Sequence, residues 1–181
     1  GWLLKLLLAV VVVRLSLNPW LLSYPTDIHW SLWTYGGSAL CCAIAARILR
    51  DRSELRAWLE IVTLHLVVLT LWAEARYWLY SGNIFIERYG FVEAAINTSV
   101  WAALGLVYLR RGAVSQHLKW FYPIAGKALL AAAVFNYLLT LTLLNPLWNS
   151  SASAAISSRP IFNLILLAYG LPVGLALLAY R

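Results

Sequence analysis

The sequence predicts an all-α fold: a polytopic membrane helix bundle of about six transmembrane helices with a parallel internal repeat. Three observations lead to this prediction. Hydrophobic residues make up 62% of the chain and charged residues 12%, whereas soluble domains average roughly 45–50% and 25%. Apolar stretches of about 20 residues, the length that crosses a bilayer, recur along the whole chain. An Asn-Pro pair that closes an apolar run, followed later by a Tyr-Gly pair, occurs twice.

Proline and glycine mark most of the breaks between the six predicted helices. Proline has no amide hydrogen and disfavours helical geometry in the residue before it, so Asn18 and Asn145, which precede prolines, are predicted helix ends. The charged link 50–54 is short, so the second and third helices are predicted to be antiparallel neighbours. The predicted helices cover residues 2–17, 29–48, 55–79, 91–109, 120–144 and 160–180.

The two helices at each end of the chain form the predicted repeat, a two-helix Asn-Pro/Tyr-Gly unit. Asn18 and Asn145 are 127 residues apart, whereas Tyr35 and Tyr169 are 134 apart, so the loop of the second copy is about seven residues longer. Two helices separate the copies, so both enter the membrane in the same direction and the repeat is parallel. The chain is then a single membrane domain, 1–181, with copy one at 1–50, an intervening hairpin at 51–119 and copy two at 120–181.

Basic residues are concentrated on one side of the predicted membrane. By the positive-inside rule this side is cytoplasmic, which places both ends of the chain in the cytoplasm and both Asn-Pro pairs outside. Topology and anionic lipid thereby explain the net charge of +7, and nucleic acid is not an expected partner. The cytoplasmic side receives Arg47, Arg50, Arg52, Arg56, Arg110, Arg111, Lys119 and Arg181, and the outer side Arg14, Arg76, Arg88 and Arg159.

Short motifs in a fixed order over nearly the whole chain resemble the family named domain of unknown function 2339 (DUF2339). The motifs are Leu17-Asn18-Pro19, Tyr35-Gly36, Glu74-Ala75-Arg76, Gly82, Glu93, Asn97-Thr98, Trp101, Leu144-Asn145-Pro146-Leu147-Trp148, Asn163 and Tyr169-Gly170-Leu171-Pro172. The resemblance implies a large bacterial inner-membrane protein with many spans, and it implies no activity. His29 stands where the second copy has Asn163, so a role for that asparagine does not carry over to the first copy. Because the chain starts inside an apolar run and has no methionine, we expect a piece of a longer protein.

Several charged and amide side chains lie toward the outer ends of the predicted helices. A charge at the centre of such a helix costs about 2.5–3.5 kcal/mol, so these groups need partners. Arg76 is predicted to pair with Glu93, and Arg14 with Glu74. One interpretation is an ion-pair cluster that fixes helix packing, and the other is a polar pocket open to the outer face. The candidate site residues are Arg14, Asn18, Glu74, Arg76, Glu93, Asn145 and Asn163.

Three classes of function remain open, all with the lipid bilayer as a partner. The leading hypothesis is binding or transport of an anionic cell-envelope molecule, a lipid or a saccharide, through the polar pocket. The second is a non-catalytic scaffold for a periplasmic or membrane protein partner. The third is a membrane transferase that uses Asp27, ranked last because no paired acid or metal motif accompanies this residue. No cofactor or metal is expected, and the lone His65 favours an interhelical hydrogen bond.

Overall fold

The computed structural model describes residues 2–22, 29–150 and 164–180, and the regular secondary structure of these residues is entirely helical. The predicted all-α fold is confirmed. Contacts divide the chain into two units, Gly1–Ile86 and Glu87–Arg181. The division falls inside the predicted central hairpin, and the boundaries of the repeat remain a prediction.

The described residues of the first unit form three α-helices and one π-helical segment. Helical conformation runs without interruption from residue 30 to the end of α2, so the second predicted helix is present with a π-helical first half. The bounds are Trp2–Leu21 for α1, Leu32–Gly37 for π1, Ser38–Ile48 for α2 and Ser53–Leu79 for α3.

In the second unit, the described residues form three further α-helices and a second π-helical segment. α4 begins where the sequence predicts, but it continues one turn farther than expected. The first residues of the last predicted helix, 160–163, lie outside the described residues. The bounds are Phe91–Val114 for α4, Phe121–Leu141 for α5, Leu166–Gly170 for π2 and Leu171–Tyr180 for α6.

The two Asn-Pro pairs differ in their effect on the helix before them. α1 continues through Asn18 and Pro19 to Leu21, so the predicted helix end at Asn18 is wrong. Pro19 lies in the last turn, where its missing amide removes one hydrogen bond, and the amide of Leu22 still donates to the carbonyl of Asn18 over 2.8 Å. α5, by contrast, ends ahead of its Asn-Pro pair, as predicted.

The core of the first unit lies where π1 and α2 pack against α3, and α1 adds a polar contact to α3. Ser16 Oγ on α1 lies 3.0 Å from His65 Nε2 on α3 and donates its own proton to the carbonyl of Val12 over 2.8 Å. The interhelical hydrogen bond expected at His65 is therefore confirmed. The buried core residues are Tyr35, Ala39, Val62, Leu66, Ala73 and Ile84.

α4 and α5 form the most extensive helix contact of the second unit, and two glycines allow their backbones to touch. A Cβ added at Gly105 would lie 3.0 Å from the carbonyl oxygen of Gly126 and 2.8 Å from Leu130 Cγ. A Cβ added at Gly126 would lie 3.0 Å from the carbonyl oxygen of Gly105. Small residues of this kind let membrane helices approach closely and gain van der Waals contact.

The two π-helical segments begin at equivalent positions of the predicted repeat. π1 begins at Leu32 and π2 at Leu166, 134 residues apart, the same spacing as the two Tyr-Gly pairs. The glycine of each Tyr-Gly pair lies against the leucine that begins its π-helical segment. A Cβ added at Gly36 would lie 3.4 Å from Leu32 Cδ1, and one added at Gly170 would lie 2.6 Å from Leu166 Cδ1. This shared local conformation supports the repeat, which remains a prediction.

Four helices are long and apolar enough to cross a membrane, judged by their length and composition. A shorter apolar helix covers Leu166–Leu178, and the total of six spans remains a prediction. Only 6% of the apolar stretch Trp2–Pro19 of α1 is buried within the chain, so most of the surface of α1 is free to contact lipid. The four candidate spans are Trp2–Pro19, Ser53–Leu79, Phe91–Val114 and Phe121–Leu141.

Cysteine labelling tests the predicted orientation of these helices. In a background with Cys41→Ala and Cys42→Ala, cysteines at the exposed positions Arg52 and Arg110 should be protected from an impermeant maleimide in intact cells. A cysteine at the exposed Ser81 should be labelled, because the basic loops stay in the cytoplasm. All three should react in permeabilised cells, and labelling at Arg52 or Arg110 in intact cells would contradict the orientation.

Candidate functional site

Two of the predicted site residues, Arg14 and Asn18, line one small cleft of the first unit. They are four residues apart on α1 and so share a face of the helix. Thr34 of π1 lines the cleft with them. The volume of the cleft is about 170 Å³. Among the described residues, no carboxylate lies within ion-pair distance of the Arg14 guanidinium. The residues that line the cleft therefore include an arginine, an asparagine and a threonine.

The carboxylate of Glu74 is held by residues that precede π1. Ser31 Oγ donates to Oε1 over 2.9 Å, and His29 Nε2 lies 2.9 Å from both oxygens. A hydrogen bond from His29 to a carboxylate oxygen uses a proton on Nε2, because such an oxygen accepts. The His29 ring stacks on Tyr77 with 3.7 Å between the ring centroids. The predicted Arg14–Glu74 pair is wrong, since the chain before π1 reaches the end of α3 and supplies both partners.

Arg76 is buried and holds the loop that follows α3. Its Nε donates to the carbonyl of Ile84 over 2.7 Å, and its Nη2 donates to the carbonyl of Ile86. The guanidinium also lies near the rings of Trp72 and Tyr80, 5.7 and 5.2 Å from their centroids. These contacts fix the loop to the helix and engage the guanidinium with two backbone carbonyls and two aromatic rings.

Buried polar side chains also occur in the second unit, where Glu93 and Asn97 lie one turn apart on α4 and are each 1% exposed. The amide of Asn97 donates to the hydroxyl of Tyr89 over 3.3 Å, and this hydroxyl donates to Oδ1 of Asn136 on α5. Nδ2 of Asn136 donates to a carbonyl of its own helix over 2.9 Å. Glu93 and Arg76 belong to different units, and their predicted pairing remains a prediction.

Asn145 closes the turn that follows α5. Its Nδ2 donates to the carbonyl of Leu141 over 3.1 Å, and its Oδ1 accepts a hydrogen bond from the amide of Leu147 over 2.9 Å. Such contacts between an asparagine and its own backbone are typical of a turn, and they match the interpretation of Asn145 as a helix stop. Asn163 and Asp27 lie outside the described residues, so their proposed roles remain predictions.

His29, Ser31 and Thr34 are not among the residues that the sequence singles out as site candidates. A signal for His29 exists in the repeat, because it precedes Asn163 by 134 residues, the spacing of the two Tyr-Gly pairs. Ser31 and Thr34 give no comparable signal, since hydroxyls in helices commonly bond to their own backbone. Within residues 2–22, 29–150 and 164–180, no group of three or more His, Cys, Asp and Glu side chains is placed to hold a metal ion.

The all-helical fold and the four long apolar helices define a multi-pass membrane protein. A family model described as "Predicted membrane protein (DUF2339)" matches residues 1–181, so the chain belongs to this family. The resemblance based on the order of the motifs is thereby confirmed. No curated protein and no solved structure matches the chain.

Proposed function

We propose that the first unit binds the anionic group of a cell-envelope molecule, a lipid or a saccharide, in the cleft formed by Arg14, Asn18 and Thr34. The observation that carries the proposal is a cation on an apolar helix with no carboxylate partner among the described residues. A charge on a membrane-spanning helix costs about 2.5–3.5 kcal/mol at the centre and less toward the ends. A bound anion offsets this cost and satisfies the guanidinium.

The chemistry of the three side chains suits an anionic oxygen group. A guanidinium offers five N–H donors in a planar fork that matches carboxylates and phosphates. Asn18 adds an amide donor and Thr34 a hydroxyl donor to the same cleft. The volume of about 170 Å³ is below the roughly 300–1,000 Å³ of sites that enclose a whole ligand. The proposal is therefore that the charged group enters the cleft and the rest of the molecule stays outside it.

The proposed site is smaller than the pocket predicted from the sequence. Glu74 and Arg76 are bound by other residues of the first unit, so we leave them out of the anion site. Participation of Glu93, Asn145 and Asn163 remains a prediction. Binding is the step that the cleft supports, and transport remains a prediction as well.

Lipid binding by an Arg14→Gln variant tests this proposal. We expect the purified chain in detergent to bind phosphatidylglycerol, and Arg14→Gln to weaken this binding about tenfold, since a hydrogen bond to a charged group contributes about 1.5–3 kcal/mol. Native mass spectrometry measures the bound fraction during a lipid titration. A glucuronate oligosaccharide serves as the saccharide probe, and zwitterionic phosphatidylcholine should bind both forms equally.

Arg47→Gln is the matched control, because Arg47 is an exposed arginine near the end of α2 and does not line the cleft. Unchanged anion binding by Arg14→Gln, or an equal loss in both variants, would contradict the proposal. A scaffold is the second candidate, favoured by the largely exposed apolar surface of α1. It predicts that Arg14→Gln binds both probes as the unmodified chain does.

A further inference from the structure

A groove of about 400 Å³ lies in the second unit between α4, α5 and α6. Its walls are formed by alanine, leucine, valine and proline side chains, with Thr98 and Tyr137 as the polar exceptions. The hydroxyl of Thr98 already donates to the carbonyl of Ala94 in its own helix over 2.7 Å. The groove is therefore apolar along almost its whole lining.

Small side chains and the placement of α6 create this groove. Ala102 on α4, Ala133 on α5 and Ala176 on α6 leave space that larger residues would fill. α6 packs mainly against α4, so the gap beside α5 remains open. The π-helical turn of π2 immediately precedes α6 and carries the chain into this position.

We infer that the groove holds one hydrocarbon chain of a membrane lipid. α4 and α5 are long and apolar enough to span a bilayer, so acyl chains are available to these helices in their natural environment. The lining disfavours ordered water, because a bound water needs about 2–4 polar partners and only Thr98 and Tyr137 carry hydroxyls here, the first of which already donates to Ala94. The volume of about 400 Å³ lies within the range of small-ligand sites, roughly 300–1,000 Å³.

A helix of a partner protein is the alternative occupant, and with its side chains it is about 10–12 Å wide. A linear acyl chain is thin enough to enter and needs no hydrogen bonds from the walls. The inference rests on the second unit alone and does not depend on the proposed anion site.

Photo-crosslinking with a labelled lipid tests the inference. The full chain is reconstituted in bilayers that contain phosphatidylcholine with a diazirine in one acyl chain, irradiated and digested, and the adducts are mapped by mass spectrometry. We expect at least fivefold more adducts at the groove residues Ala133, Val134 and Val173 than at Val107 and Phe135. Val107 on α4 is 47% exposed and Phe135 on α5 is 63% exposed, and both lie outside the groove. Equal labelling of the groove residues and these two controls would overturn the inference.

A phenylalanine placed in the groove should displace the lipid chain. Ala176→Phe should lower the number of adducts at the groove residues at least fivefold. Ala131→Phe is the control, because it makes the same change at an exposed position of α5 outside the groove, and it should leave the number of groove adducts unchanged. If Ala176→Phe does not fold, Val134→Trp fills the groove from a wall residue that is 58% exposed. A folded filling variant that keeps its groove adducts would overturn the inference.

Discussion

Gly105→Val should lower the free energy of unfolding by about 3 kcal/mol, at the upper end of the usual cost of overpacking. The added Cβ would lie 2.8 Å from Leu130 Cγ and 3.0 Å from the carbonyl oxygen of Gly126. Leu130 can turn away, but the carbonyl belongs to the backbone of α5. The helices must therefore separate, and separation loses the van der Waals contacts on which helix association in membranes depends.

Thermal unfolding of the purified chain in detergent measures this effect. Gly174→Val is the matched control, because Gly174 lies in α6 and a Cβ added there has no other atom within 4 Å. We expect the control to change the free energy of unfolding by at most about 1 kcal/mol, the cost of helix propensity. Equal melting of Gly105→Val and the unmodified chain would show that α4 and α5 are not in backbone contact.

Arg76→Ala should also lower the free energy of unfolding by about 3 kcal/mol. The change removes the donors to the carbonyls of Ile84 and Ile86, and each buried acceptor left unsatisfied costs about 1–3 kcal/mol. The contacts with Trp72 and Tyr80 are lost as well, at about 0.5–2 kcal/mol. Hydrogen–deuterium exchange should show the loop after α3 opening before the helix itself.

Two variants make this result specific to the geometry of Arg76. Arg76→Lys keeps the charge but not the planar fork, so it should restore less than half of the lost stability. Arg52→Ala removes an exposed arginine at the start of α3 and should change the free energy of unfolding by less than about 0.5 kcal/mol. If Arg76→Ala melts normally but loses phosphatidylglycerol binding, Arg76 belongs to the anion site and its structural role is wrong.

The sequence determines the class of the protein and the positions of its long helices. Apolar character over about 20 residues belongs to the segment itself, and helices satisfy the backbone hydrogen bonds that a membrane-spanning chain requires. α3, α4 and α5 accordingly lie within a few residues of their predicted bounds at most of their ends. The order of short motifs also indicates the family, which the family model confirms.

The Asn-Pro and Tyr-Gly pairs do not by themselves determine the local helix conformation, because their effect depends on where they lie within a helix. The two Asn-Pro pairs are identical as dipeptides, yet α1 passes through its pair and α5 ends before its own. A proline removes one amide hydrogen, and whether the helix stops there depends on the contacts of the next turn. The spacing of the Tyr-Gly pairs is visible in the sequence, but the π-helical turns that contain them are not.

The partners of the polar side chains are decided only by the tertiary structure. Helical periodicity places Glu74 and Arg76 near the end of α3, but it does not identify the chain that packs there. Glu74 contacts His29 and Ser31 because the segment before π1 returns to α3. Arg76 donates to two backbone carbonyls, and backbone carbonyls are alike in every residue, so no sequence pattern marks them. Only the path of the folded chain brings such groups within reach of a side chain.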